Sequence, residues 1–181
     1  MRAVLGFTLL LALVAPLCAQ TRSGVLTEGE VEQIREARLY PSDAILLFVK
    51  FLDARTEKIT TLYAKARRPG REQDTHDLME QFTAIADELD DNLDDYGPRH
   101  ADLRHALPKL INAADRWATV IKSPPENDAY SVSRKIALES IRDLRDAANQ
   151  LNTEQIAWFK AHPPAKKAPQ QDENGAICIP R

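Results

Sequence analysis

Three histidines and two aspartates have the side chains that a metal site would need. His100 and His105 flank the start of the third predicted long helix, His162 ends the fourth, and Asp94 and Asp95 close the second. Imidazole nitrogens and carboxylate oxygens are ligands for zinc or copper. If the long helices alternate in direction, all five residues fall at the same end of the bundle. His100 and His105 are five residues apart and so lie on different helical faces, which leaves this site a weak candidate.

The densest charge lies in the segment 87–95, where six of nine residues are acidic. Such a group of carboxylates would attract a hard cation such as calcium. The segment lacks the Asp-x-Asp-x-Asp-Gly loop of a calcium hand, and adjacent side chains on a helix cannot surround an ion. The simpler interpretation is a solvated face, with Leu89 and Leu93 turned inward. Whether this segment binds cations is left open.

The sequence contains none of the common catalytic patterns. It has no Gly-x-Ser-x-Gly, no glycine-rich phosphate loop, no Cys-x-x-Cys-His for haem attachment and no Glu-x-x-His for a di-iron centre. Met79 and His162 lie roughly 20 to 25 Å apart on the predicted helices, at 1.5 Å per residue, which is too far for both to bind one haem iron. These absences predict a protein that is not an enzyme and carries no cofactor.

The first nineteen residues resemble a secretory leader. Arg2 supplies a positive start, residues 3–14 are apolar, Pro16 interrupts them, and Ala19 is a small residue at the expected cleavage site. The apolar run is shorter than the roughly 20 residues of a membrane span. No Asn-x-Ser/Thr sequon occurs, so the sequence gives no glycosylation argument for a eukaryotic secreted protein. We therefore expect a secreted protein of the bacterial periplasm.

Removal of this leader takes away Arg2 and no acid, which leaves 23 basic against 27 acidic residues. This balance argues against a nucleic-acid partner, which would require a basic face. No later segment is apolar enough to span a membrane, so no span is expected after cleavage. The basic cluster Lys65, Arg67, Arg68 and Arg71 could touch an acidic partner or lipid headgroups, but a solvated loop is the simpler interpretation.

The elements that would position these residues are helices. Thr27 and Glu30 form a capping box that predicts a short helix through Arg38, with Val31, Ile34 and the following Leu39 inward. The run Ala44–Leu52 has one polar residue, Lys50, and opens a long helix. We expect that helix to begin at an N-cap, Ser42, and to end near Arg67. Its inward residues repeat at helical spacing: Ile45, Phe48, Leu52, Ile59, Leu62 and Ala66.

Three further helices are predicted, over residues 72–96, 101–122 and 127–162. Pro108 lies in the second of these and predicts either a kink or a first turn that is only loosely helical. Asn127 is the expected cap of the third. The turn at Arg68-Pro69-Gly70 should reverse the chain before them.

The pattern predicts an all-α fold, an up-down-up-down four-helix bundle with shallow, coiled-coil-like crossings and a short N-terminal helix. The bundle would occupy residues 20–162, and residues 163–181 would form a disordered tail rich in Pro, Lys and Gln. Cys178 lies in that tail as the only cysteine after leader cleavage, so it could form a disulfide-linked dimer or remain unpaired.

The expected function is a secreted, non-enzymatic binding or scaffolding module that acts on an unknown protein partner. The alternative is a metal-binding periplasmic protein that uses the end of the bundle carrying His100, His105 and His162.

Overall fold

The computed structural model describes residues 25–163, and these residues form five helices and no strand. The predicted leader 1–19, Cys178 and all of the predicted tail except Pro163 lie outside the described residues. The helices are α1 (Glu28–Ala37), α2 (Pro41–Ala64), α3 (Arg71–Tyr96), α4 (Leu107–Lys122) and α5 (Ser131–Ala161). The all-α prediction is confirmed.

The short helix α1 begins as its sequence indicates. The Glu30 backbone N–H donates to Thr27 Oγ1 over 3.2 Å, and the Thr27 backbone N–H donates to the Glu30 carboxylate over 2.8 Å. This is the predicted capping box. Ile34 packs against the core, whereas Val31 is 51% exposed and Leu39 is 84% exposed, so the predicted inward positions of these two residues are wrong.

The apolar run of α2 is buried as predicted, but the helix starts differently. Pro41 takes the first turn, where its missing N–H costs no hydrogen bond. The N-cap position is therefore Tyr40, and the predicted cap Ser42 instead donates its hydroxyl to the Asp102 carbonyl over 2.8 Å. The helix also ends at Ala64, so the last predicted inward residue, Ala66, lies beyond it and is exposed.

Two turns decide where α3 and α4 begin. Gly70 precedes α3 with φ of 84°, a left-handed conformation that glycine adopts without steric strain. Pro108 lies in the first turn of α4, so the helix starts at Leu107 instead of the predicted Ala101. This start agrees with one of the two alternatives predicted from the sequence, in which the residues before Pro108 are only loosely helical.

The start of α5 was predicted four residues too early. Asn127 Oδ1 accepts from the Ala129 backbone N–H over 2.9 Å, so this side chain closes a local turn and does not cap a helix. The helix begins at Ser131, with Tyr130 at the N-cap position.

The four long helices enclose one apolar core. Among the described helices, α2 packs on α3 and α4, α5 packs on the same two helices, and α1 lies on α2. The largest fully buried side chains come from α2, α3 and α4 and from the two connections that precede α4 and α5: Trp117, Tyr130, Phe48, Phe82, Ile45, Leu52, Ile59, Met79, Ile85, Leu89, Leu103 and Leu107. Within residues 25–163, no helix combines the length and the apolar character needed to cross a bilayer.

Side-chain hydrogen bonds fix each end of the core. At one end, the buried Gln155 of α5 accepts from the Leu103 N–H over 2.9 Å and donates to the Ala101 carbonyl over 2.7 Å. This bonding holds the connection between α3 and α4 against the last turns of α5. At the other end, the Tyr63 hydroxyl of α2 lies 3.1 Å from Thr75 of α3 and donates to Tyr130 over 3.0 Å.

Candidate binding groove

A groove of about 820 Å³ runs between α2 and α3, along the second half of α2. The α2 side of the groove carries small side chains at helical spacing, including Ala54 and Thr61, which leave space between the two helices. Leu62 and Leu78 form apolar contact surface, one from each helix. The complete lining is Ala54, Glu57, Lys58, Thr61, Leu62, Lys65, Ala66, Arg68, Asp74, Asp77, Leu78 and Gln81.

The edges of the groove carry both signs of charge. Lys58 and Lys65 lie on the α2 edge, and Asp77 lies on the α3 edge, where it accepts a hydrogen bond of 2.7 Å from Gln73. Arg68 and Asp74, near the turn between the helices, pair with each other at 2.6 Å. The groove therefore has apolar side chains between two charged edges, and this arrangement suits a polypeptide segment with complementary charges.

Tyr63, which follows the groove residue Leu62 in the sequence, takes part in a chain of hydrogen bonds. Tyr63 donates to Tyr130, which in turn donates to the Pro125 carbonyl over 2.6 Å. Burial, followed by the hydrogen bond from Tyr63, raises the pKa of Tyr130 to about 12. The Arg71 guanidinium lies over the Tyr63 ring, 4.6 Å from its centre, which adds a cation–π contact. Arg71 therefore packs against the core, and the predicted solvated loop does not describe this member of the basic cluster.

A buried ion pair lies beside the opposite end of the groove. Arg55 of α2 is 3% exposed, and its guanidinium binds both carboxylate oxygens of Glu30, with one N–O distance of 2.8 Å. It also donates to the Val25 carbonyl over 3.0 Å. The hydrogen bonds from Arg55, the largest cause, lower the pKa of Glu30 to about 2. This ion pair fastens α1 and the residues before it to the middle of α2.

The structure brings together only some of the residues predicted to bind a metal. His100 and His162 both stack on the Trp158 indole, with ring centres 4.3 Å and 4.6 Å from it. His105 Nε2 instead lies 3.0 Å from the Lys109 ammonium, and Asp95 pairs with Arg99. These contacts place His105 and Asp95 with other partners.

The fifth candidate, Asp94, lines a shallow depression of about 350 Å³ together with His100 and Glu154. Within residues 25–163, no group of three or more His, Cys, Asp or Glu side chains is arranged to hold a metal ion. The metal site stays a prediction, and Cys178 lies outside the described residues.

The acidic segment 87–95 turns its two leucines inward, since Leu89 and Leu93 are both buried. Five of its six acids are exposed, and Asp90 is half-buried. Burial, together with the charges of Asp94, Asp91, Asp87 and Asp143, raises the pKa of Asp90. The acidic surface thus extends from α3 onto α5.

Sequence reasoning missed the buried side-chain contacts beside the groove. Arg55 continues the inward spacing of Phe48, Leu52 and Ile59, so an arginine in an apolar stripe was a detectable signal of a buried ion pair. Tyr63 and Tyr130 gave no such signal, because their contact depends on how distant segments pack.

Comparison of the chain with protein-family models found no match, and searches of curated proteins and of solved structures likewise found no similar protein.

Proposed function

We propose that this protein is an exported, non-enzymatic binding module and that its binding site is the groove between α2 and α3. The partner is a short, extended polypeptide segment of another protein. The leader-like residues 1–19 support the export part of the proposal. The proposal includes the alternating direction of the four long helices, which agrees with the side-chain hydrogen bonds at the two ends of the core.

One observation carries the proposal: the groove has a volume of about 820 Å³, against about 350 Å³ for the depression beside Asp94, and its surface combines apolar and charged side chains. Its α2 side is helical from Ala54 to Ala64, about 15 Å at 1.5 Å per residue. An extended chain of four to five residues spans about this distance, at roughly 3.3 Å per residue. Leu62 and Leu78 would contact an apolar side chain of such a segment.

The charged edges indicate what the segment should carry. A basic side chain would face Asp77 on α3, and an acidic side chain would face Lys58 or Lys65 on α2. Each exposed ion pair contributes about 0–1 kcal/mol, so charge selects the orientation of the segment while apolar contact supplies most of the affinity.

The test is selection of peptides from a random library on the folded protein, followed by calorimetric titration of the selected peptides. Thr61→Trp fills the groove from its exposed α2 edge and should abolish binding. Thr119→Trp, on the exposed surface of α4, is the matched control and should bind as the wild type does. Both variants must give the wild-type helical circular dichroism spectrum before their binding is compared.

Selected peptides that bind Thr61→Trp and the wild type equally would place the site elsewhere and contradict the proposal. A library that yields no binder would contradict it as well. If binding is lost in both tryptophan variants, the surface of α4 is part of the site and the groove alone is insufficient.

A further inference from the structure

The surface of α2 that lines the groove continues beneath α1. One stripe of side chains runs along this surface at steps of four, three and four residues: Phe51, Arg55, Lys58 and Leu62. Lys58 and Leu62 line the open groove. Phe51 and Arg55 are each 3% exposed, and Arg55 is bound to Glu30 of α1. The groove is therefore the open half of a longer surface.

The short helix α1 covers the other half of this surface. It runs along α2 in the opposite direction, because Glu30 binds Arg55 whereas Gln33 accepts from the Lys50 ammonium over 3.4 Å. Phe51 lies between these two contacts in the sequence of α2. The helix α1 thus passes over the turn of α2 that carries Phe51.

Few groups hold α1 in this position. None of its ten residues is buried, although Ile34 packs against the core. Isolated helices shorter than about 12–15 residues are marginal in water, so α1 depends on its contacts with α2 to stay helical. These contacts are the Arg55–Glu30 pair and a small apolar area. We therefore expect α1 to detach while the four long helices stay folded, as a local unfolding event.

The guanidinium of Arg55 is only partly satisfied while α1 is attached. Its two terminal nitrogens donate to Glu30 and to the Val25 carbonyl, but its Nε–H is buried and has no hydrogen-bond partner among residues 25–163. Buried donors are seldom left without a partner. A carboxylate that binds side-on, through Nε and one terminal nitrogen, would satisfy the donor that Glu30 leaves unpaired.

We propose that α1 is a displaceable cover and that the partner segment binds the whole stripe, with a carboxylate of its own on Arg55 in place of Glu30. This inference rests on the proposed function for the site, and it adds an acidic residue that the partner must carry. From Phe51 to Ala64, α2 rises about 20 Å at 1.5 Å per residue. An extended segment of about six residues spans this distance.

The cover makes binding depend on how firmly α1 is held. Its covalent link to α2 gives Glu30 a high effective concentration at Arg55. A partner meets a complete site only in the molecules whose α1 is detached, so its apparent affinity is lower by that fraction. Substitutions that loosen α1 should therefore strengthen binding, which is the reverse of what a purely structural role of α1 predicts.

The first experiment measures detachment of α1 with no partner present, by amide hydrogen exchange and mass spectrometry. Peptides from α1 should exchange at least about tenfold faster than peptides from the middle of α5. A short bismaleimide crosslink between Gln33→Cys and Lys50→Cys, made in the leaderless Cys178→Ser chain, should slow exchange of α1 several-fold. The matched control joins two exposed residues of α5, Arg142→Cys and Asp146→Cys, and should leave exchange of α1 unchanged.

The second experiment titrates the selected peptides against proteins in which α1 is held more loosely or more firmly. Glu30→Gln weakens the hold of α1 and should tighten peptide binding several-fold. The crosslink between α1 and α2 should weaken binding at least about tenfold. Glu32→Gln, which removes only the exposed pair with Arg35, is the matched control and should bind as the wild type does.

The third experiment tests the carboxylate of the partner. Replacement of the acidic residue in a selected peptide by its amide should weaken binding to the wild type about tenfold, because a charge-assisted pair with Arg55 is lost. The same replacement should have no effect on the double variant Arg55→Met, Glu30→Gln. Uncharged side chains replace both members of the buried pair in this variant, so the bundle should keep its helical circular dichroism spectrum.

Exchange of α1 as slow as that of α5 would overturn this inference. It would also be overturned by selected peptides without an acidic residue, or by equal peptide affinities in the crosslinked, Glu30→Gln and wild-type proteins. These results would leave the proposed function intact, since the comparison of Thr61→Trp with the wild type tests that function separately. Conversely, equal binding by Thr61→Trp would contradict the proposed function even if α1 detaches.

Discussion

Arg55 is the residue on which the attachment of α1 depends. Its guanidinium is buried, and its carboxylate partner Glu30 also caps α1, so one side chain links the start of the short helix to the middle of α2. Removal of one member of such a pair leaves the buried partner unsatisfied, which costs about 1–3 kcal/mol, or more for a charged group. The capping role of Glu30 makes it the more informative member to change.

We expect Glu30→Gln to lower the free energy of unfolding by about 1–3 kcal/mol. The measurement is urea denaturation at neutral pH. The pKa of Glu30 is lowered to about 2, so its contribution is complete above its ordinary pKa near 4.5 and is lost as the pH falls towards 2. The difference between the variant and the wild type should therefore shrink across that range of pH.

Glu32→Gln is the matched control, because Glu32 lies on the same helix and pairs with the exposed Arg35. Its effect should stay within about 0.5 kcal/mol. A difference for Glu30→Gln that is constant from neutral pH to pH 2 would contradict the assigned role of the Arg55 pair.

The same residues show what the sequence can predict at this scale. The capping box of Thr27 and Glu30 depends on residues three positions apart, so its pattern is visible in the sequence. The second role of Glu30 depends on Arg55, which is 25 residues away. Likewise, the indole N–H of Trp117 donates to Asp53 over 2.7 Å, a contact across 64 residues that no local pattern contains.

At the scale of elements, apolar periodicity identified the inward face of α2 as far as Ile59. Leu52 belongs to that predicted face, Ile85 lies on the buried face of α3, and both are 0% exposed. We expect Leu52→Ala and Ile85→Ala each to cost about 2–5 kcal/mol, the range for truncation of a buried Leu or Ile. Chemical denaturation monitored by circular dichroism measures this loss.

Ile156→Ala on α5 is the control, because this isoleucine is 55% exposed. Its effect should be well below 2 kcal/mol, since truncation there removes little buried area. Similar losses in all three variants would mean that the apolar periodicity does not describe the core.

Helix boundaries were predicted less well than helix faces, for a physical reason. Ser42 and Asn127 are good cap residues by type, but each has another hydrogen-bonding partner: Ser42 binds the Asp102 carbonyl, and Asn127 closes its own turn. The choice between capping and these alternatives depends on small energy differences and on distant contacts. Pro108 is different, because the backbone restriction that it imposes is local, and a start of the helix near this proline was compatible with one of the two predicted alternatives.

At the scale of the molecule, there are two alternative functional sites, the groove and the end of the bundle that carries His100, His105 and His162. We expect protein purified without an affinity tag to retain substoichiometric zinc and copper, because His105 and Asp95 have other partners. Elemental analysis after dialysis gives the measurement. Stoichiometric metal that is lost in His100→Ala would favour the metal-binding alternative over the groove.

The groove itself could not be predicted from the sequence. Periodicity tells which face of a helix is buried, but it does not tell which two helices lie side by side. The groove exists because Ala54 and Thr61 of α2 face the same surface as Leu78 of α3, and this requires knowledge of how the two helices pair.

The pairing of the helices also bears on how the chain folds. Two of the packed pairs, α2 with α3 and α4 with α5, join helices that are neighbours in sequence, whereas α2 with α4 and α3 with α5 join distant ones. Each neighbouring pair can form from local contacts, and chains rich in local contacts fold in microseconds to milliseconds. We expect the slower step to be the packing of the α2–α3 pair against the α4–α5 pair, because those contacts join distant parts of the chain. Until the two pairs meet, the Gln155 amide has no connection between α3 and α4 to hold, and the apolar faces of both pairs stay open to water.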